Sequence, residues 1–198
     1  MNYPDFPSLK PLIVEMPKMG GYLDPEAKYQ LQKLLSIEIN SGLLGAVKVK
    51  SLTDDIFFIT GGAQGPWGKW AALFKKVGDT NKLLFATGFE ATNWDIDDLP
   101  TYKVHISAKY GDFPKHAAST AYLELIKMDR QIVLTSGNWV TDAGSGIWQE
   151  LLTRPDLQEE IFVWNIKERK RETVLDWKDI FGRESSYENL VIALKTKS

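Results

Sequence analysis

IVLTSGNWVTDAGSGIWQELL, residues 132–152, passes from an apolar β-rich run through a Ser, Gly, Asn and Thr loop into a short helix carrying Trp148. The loop leaves a strand at its carboxyl end, where open α/β sheets place ligands. Upstream, Asp112-Phe113-Pro114 predicts the opening of a helix with Ala117, Ala121, Leu125 and Met128 on one face and Ala118 and Tyr122 beside them. Downstream, the helix from about Ala143 to Thr153 is stopped before Pro155, and EIFVWN at 160–165 reads as a strand. Strand, helix, strand, helix, strand predicts parallel pairing through right-handed crossovers.

Earlier in the chain the rhythm differs. AVKVKSL alternates from Ala46, TDD turns and IFFIT is a compact β run, which predicts a hairpin. KWAALFKKV and KLLFATGFE form a second predicted pair joined by Gly-Asp-Thr-Asn, and TYKVHISAKY is a further strand. Adjacent strands with no helix between them predict an antiparallel meander. Before it, Asp24-Pro25 suits a helix start, with Ala27, Leu31, Leu34 and Leu35 at helical spacing and Gly42 as the stop. Residues 1–23 read as an extended, proline-punctuated arm and residues 24–198 as one domain. The tail offers VLDWKDIF and a last strand-like NLVIALK.

Composition narrows the function classes. The 198 residues are 43% hydrophobic and 25% charged with seven Trp, nine Phe and seven Tyr, enough large apolar side chains for one well-buried core. A net charge of -2 disfavours nucleic acid and anionic lipid as general partners. The absence of cysteine excludes disulfides, thiolate catalysis and Cys-based zinc sites. With His105 and His116 as the sole histidines, no His-rich metal site is expected. MNYPDFPSLKPLIVEM reads as neither signal peptide nor membrane span, and no other segment reaches spanning length, so a cytoplasmic location is expected.

The element order, over roughly residues 24–195, is similar to that of the GNAT N-acetyltransferase fold. AYLELI, then IVLTSGNWVTDAGSGIWQELL, then IFVWN resembles a group of phage and prophage GNAT-like proteins with an Ala-Tyr helix, a Ser and Thr loop and a Gly-bearing Trp-x-x-Leu helix. The resemblance implies a mixed α/β (α+β) fold with a centrally splayed sheet, an N-terminal antiparallel meander and helices packed on it. It also implies a phage or mobile-element source, hence the host cytoplasm. Two departures accompany it. Active members carry a Gln/Arg-x-x-Gly-x-Gly/Ala turn whose amides hold the cofactor pyrophosphate. Residues 107–116 here have one glycine, an acidic Asp112 and Pro114 without an amide donor. A Tyr that commonly serves as the acid is replaced on GSGIWQELL by Trp148, whose indole is no proton donor at ordinary pH.

Candidate sites follow from these readings. Ser107, Lys109, Lys115, His116, Ser136, Asn138 and Thr141 border the cleft that the resemblance implies and offer hydrogen bonds or cations to a cofactor or ligand. If the chain is an enzyme, Glu90 or His105 is the candidate base for an amine nucleophile. GGAQGPWGKW lacks the Gly-Lys-Ser/Thr ending of a phosphate loop, but Trp67 and Trp70 offer a partner surface if they are not buried beneath it. Trp94 adds to that surface within the acidic Glu90, Asp95, Asp97 and Asp98 segment, which alternatively is a solvated loop. Ser136 lacks a nucleophile elbow, and KERKRE at 167–172 suits a solvated hairpin turn. The leading expectation is a GNAT-like domain that binds a protein or small ligand without a cofactor. Alternatives are an acetyl-CoA-dependent N-acyltransferase and a structural, virion-associated protein.

Overall fold

The computed structural model describes residues 48–62, 68–78, 80–109, 116–136, 142–154, 157–173, 180 and 189–197. The predicted arm at 1–23, the helix from Asp24, most of VLDWKDIF, and Trp67, Lys115, Asn138 and Thr141 lie outside them. Among the described residues are nine strands, β1 (Lys48–Ser51), β2 (Ile56–Gly62), β3 (Lys69–Val77), β4 (Thr80–Ala91), β5 (Thr101–Lys109), β6 (Val133–Thr135), β7 (Glu160–Asn165), β8 (Lys170–Glu172) and β9 (Leu190–Lys195). Two helices join them, α1 (Ala117–Met128) between β5 and β6 and α2 (Asp142–Thr153) between β6 and β7.

All nine strands belong to one mixed sheet in the order β1-β2-β3-β4-β5-β6-β9-β7-β8. β1 to β5 pair in succession, each antiparallel to the next. β5 and β6 are the one parallel pair among the described residues, as a helical crossover allows. They meet only at Thr101↔Val133, Tyr102↔Leu134 and Lys103↔Thr135, and residues 104–109 of β5 run on past that pairing. β9 enters between β6 and β7, antiparallel to both. The crossover sequence therefore gives β6 and β7 a common direction without making them neighbours. The last strand takes the position between them because LVIAL is apolar at every residue and suits a strand covered on both faces.

The helices bury their apolar stripes on one face of the sheet. Tyr122, Leu125 and Ile126 of α1 and Ile147, Trp148 and Leu151 of α2 join Phe58, Leu73, Phe85, Phe89, Leu134, Ile192 and Leu194 in one cluster. Ala117, Ala118 and Ala121 let α1 approach closely, and Tyr122 carries the aromatic contacts, with ring centroids 5.6 Å from Phe89 and 5.5 Å from Trp148. Removing Trp148, which is fully buried, costs about 3–5 kcal/mol on the scale of large-to-small core changes. Ile96, Val133, Trp164, Val191 and Ala193 form a smaller cluster. Alternation along β6 and β9 puts it on the opposite face.

Local chemistry sets the element ends. α1 begins at Ala117, later than the expected opening at 112–114, and His116 before it holds a left-handed backbone (φ 69°) without a side-chain cap. Asp97 and Asp98 occupy the same region (φ 53° and 58°), giving the two-residue turn that the Ile96↔Leu99 bridge closes. KERKRE begins in the turn that joins β7 to β8 as a hairpin, as expected, and its second half, Lys170, Arg171 and Glu172, forms β8, the edge strand beside β7. Charge on an edge strand discourages pairing with another sheet, and this is why its composition hides it. No described helix is long and apolar enough to cross a membrane.

Candidate functional site

Three polar neighbourhoods collect the predicted site residues. The first lies where β5 runs past β6, on the helical face. Thr87 and Ser107 are opposite one another in the β4–β5 register, and their hydroxyls are 2.8 Å apart. Ser107 Oγ is 3.0 Å from the Tyr122 hydroxyl, so a short polar row crosses two strands and ends on α1. Tyr122 is fully enclosed, and burial pushes its phenol above the ordinary value of 10.0 despite the Ser107 and Thr87 contacts. This row is a set of neutral hydrogen-bonding groups, and Tyr122 stays protonated at any ordinary pH.

The second neighbourhood is the junction of α1 with α2. Glu150 projects from α2 so that Oε1 lies 2.7 Å from His116 Nδ1 and accepts a hydrogen bond from Ser119 Oγ. Ser119 Oγ is also 2.8 Å from the His116 carbonyl oxygen, and the Thr120 amide donates to that same carbonyl at 2.9 Å. A carboxylate thus sits beside the first turn of α1, where the positive end of the helix dipole favours negative charge. The protein supplies its own anion there.

The third neighbourhood is on the other face of β4 and β5. The register passes from Gly88↔Ile106 to Phe89↔Val104, leaving His105 as the extra residue of a β-bulge. Glu90 Oε2 lies 3.2 Å from Lys103 Nζ and 3.4 Å from His105 Nδ1. The Lys103 ammonium, and secondarily His105, hold the Glu90 carboxyl below its ordinary value. Both candidate bases therefore share one solvent-accessible cluster, in which Lys103 and His105 approach the same Glu90 oxygen. Phe89 and Val104 pack in the helical core, so alternation sends Glu90 and Lys103 to the face away from Ser107 and Tyr122.

The remaining predicted residues separate. Ser136 is fully buried, its amide donating to Ile192 O at 2.9 Å and its hydroxyl accepting from the Ile192 amide at 3.0 Å, so it ties β6 to β9. Lys109 is exposed at the end of β5. Trp70 is 0% exposed, so its ring adds nothing to an exterior partner surface. Among the acidic-loop residues, Asp97 is engaged by Arg171 at 2.9 Å and Lys195 at 2.6 Å. Glu150, Ser119, Tyr122 and Lys103 complete the neighbourhoods without having been singled out as site residues. Glu150 and Ser119 are 31 residues apart, and no local pattern signals their meeting. Lys103 meets Glu90 as its partner in the β4–β5 register, past the bulge, which the strand pattern alone does not show.

Among the described residues no group of three or more His, Asp or Glu is arranged to hold a metal ion. Comparison with protein-family models, with curated proteins and with solved structures gives no match.

Proposed function

We propose that this chain is a GNAT-like domain, of phage or mobile-element origin, that binds a protein or small ligand and does not use acetyl-CoA in the manner usual for that fold. Support for the GNAT-like part is the strand order, with an antiparallel succession, a parallel β5–β6 pair that meets at one end only, and a last strand inserted between β6 and β7. Support for the phage part is the motif resemblance around residues 132–152.

One observation carries the departure from acyl transfer. Glu150 occupies the approach to the first turn of α1, the helix end that in the usual arrangement faces the cofactor pyrophosphate. Its negative charge repels a polyanion at the place where the helix would attract one. The sequence of the preceding connection, with Asp112 and Pro114, points the same way. A ligand that binds the folded state alone adds about 2.7 kcal/mol at roughly a hundredfold excess over its Kd. Thermal unfolding with saturating CoA and acetyl-CoA should therefore leave Tm unchanged, and a clear upward shift would sink the proposal.

The second reading, an N-acyltransferase, is favoured by the bulge at His105 with Glu90 beside it, since bulges re-aim side chains next to active sites. Glu90, held ionised by Lys103, would accept the proton of an amine directly or through water. Acetyl-CoA turnover with a polyamine or peptide amine, lost in Glu90→Gln, would establish this reading.

A further inference from the structure

A cavity of about 230 Å³ opens between the segment after β4 and the β7–β8 turn, lined by Asn93, Trp94, Asp95, Trp164, Ile166 and Arg169. Its charges contrast with those close by. Asp97, Glu160, Arg171 and Lys195 are joined in one continuous set of ion pairs. Asp95 and Arg169 line the same cavity, yet among the described residues neither forms an ion pair with the other or with any third group. The Asn93 amide is likewise without a side-chain hydrogen bond among the described residues.

Arg169 adds a second observation. It holds a left-handed backbone (φ 52°) in the turn where the Glu168 amide donates to Asn165 Oδ1 at 3.0 Å. Gly or Asn would meet that turn with less strain, so the turn does not explain an arginine. Strained non-glycine positions cluster at ligand clamps. What the arginine supplies here is a guanidinium on a cavity that Trp94 and Trp164 also line.

The chemistry restricts the occupant. A simple anion on Arg169 would face Asp95, a simple cation on Asp95 would face Arg169, and an apolar molecule would leave both charges unmatched. A molecule carrying both signs close together satisfies each. We propose that this cavity is a binding site for a small zwitterion, a free α-amino acid, with its carboxylate on Arg169 and its ammonium between Asp95 and the indoles of Trp94 and Trp164. The guanidinium fork suits a carboxylate, and indoles attract an ammonium as well as an apolar side chain. This site is separate from the α1–α2 junction, and its occupancy does not depend on whether CoA binds there.

Calorimetric titration of the full chain tests it, with L-phenylalanine and L-alanine as probes and L-phenylalaninamide and N-acetyl-L-phenylalanine as analogues lacking one charge. At least one amino acid should bind in the millimolar range or tighter, and the analogues of L-phenylalanine at least about tenfold more weakly than their parent if it is the binder. With L-alanine as the binder, alaninamide and N-acetyl-alanine take their place. Asp95→Asn and Arg169→Gln should each weaken binding by about tenfold or more, while Asp98→Asn on the adjacent turn leaves it unchanged. Neither changed side chain is bonded to another described residue, and circular dichroism checks that both variants fold. No heat from either amino acid, analogues that bind as well as the parent, or indifference to both substitutions overturns the assignment.

Discussion

Lys195 Nζ lies 2.6 Å from Asp97 Oδ2, with the lysine side chain only 7% exposed at the end of β9. The lysine also reaches Glu160 Oε2 at 3.4 Å, and Arg171, 4.1 Å above the Phe162 ring, bonds to both Asp97 and Glu160. Two carboxylates and two cations thereby fasten the 93–98 loop to the β7–β9 end of the sheet. Asp97→Asn leaves an enclosed ammonium with one carboxylate instead of two. Glu160 remains, so the cost should be about 1–3 kcal/mol, below that of isolating a buried charge outright. The midpoint of urea unfolding measures it, and Asp98→Asn should shift that midpoint little.

The same quartet predicts acid sensitivity. Lys195 holds Asp97 below its ordinary 3.8, and Arg171 holds Glu160 below its ordinary 4.5. A carboxylate depressed in the folded state takes up its proton later than it does in the unfolded chain. Its contribution is complete above the ordinary value and is lost as pH falls through the folded one. Stability should be flat above these values and decline below them, and Asp97→Asn should flatten part of the decline. Unfolding curves recorded across this range compare the two slopes.

Gly61 is opposite Trp70 in the β2–β3 register, and a Cβ built there would come within 2.9 Å of Trp70 Cζ2. The indole is completely enclosed, so it has no free direction in which to yield. Gly61→Ala should cost about 1–3 kcal/mol through overpacking. Gly62→Ala, where nothing lies within 4 Å, should be tolerated, and the difference in Tm between the two variants checks the argument.

What the sequence reveals of this fold follows the range of the forces involved. KWAALFKKV and EIFVWN coincide with β3 and β7 because a β-rich run bounded by polar residues is a local signal. The parallel β5–β6 pair was foreseeable from the intervening helix. The seat of β9 between β6 and β7 was not, since β6 and β9 pair across more than fifty residues and leave no local trace. Within KERKRE the hairpin turn is legible, whereas the strand character of Lys170–Glu172 is not, because edge strands hide in polar composition. At the candidate site, His105 and Glu90 were legible by residue type. Their lysine neighbour and the bulge depend on register. The bonds of Ser136 to Ile192 depend on register, so a loop serine and a serine that ties two strands read alike in the sequence.

Tyr122 governs behaviour at high pH. Its hydroxyl meets Ser107 Oγ at 3.0 Å inside the core, and burial raises its folded value above 10.0. An acid whose value is raised on folding keeps its full contribution below the unfolded value and loses it as pH climbs toward the folded one. Stability should fall as pH rises past 10.0, and Tyr122→Phe should remove that share of the fall. The variant should lose about 1 kcal/mol at neutral pH, since Ser107 keeps its 2.8 Å contact with Thr87. Denaturation at neutral and alkaline pH separates the two effects.

Glu150→Gln isolates the charge from the hydrogen bonding at the start of α1. The amide oxygen still accepts from Ser119 Oγ, so the variant should fold with a loss of about 1 kcal/mol, whereas Glu150→Ala strands the buried Ser119 hydroxyl with only its own-turn carbonyl and should cost about 1–2 kcal/mol. With the carboxylate gone, the amino end of the helix regains its preference for an external anion. CoA should then raise the Tm of Glu150→Gln while leaving the parent unchanged, with the shift shrinking as salt screens it. A variant as indifferent to CoA as the parent would remove Glu150 as the cause and leave the Asp112 and Pro114 connection to account for it.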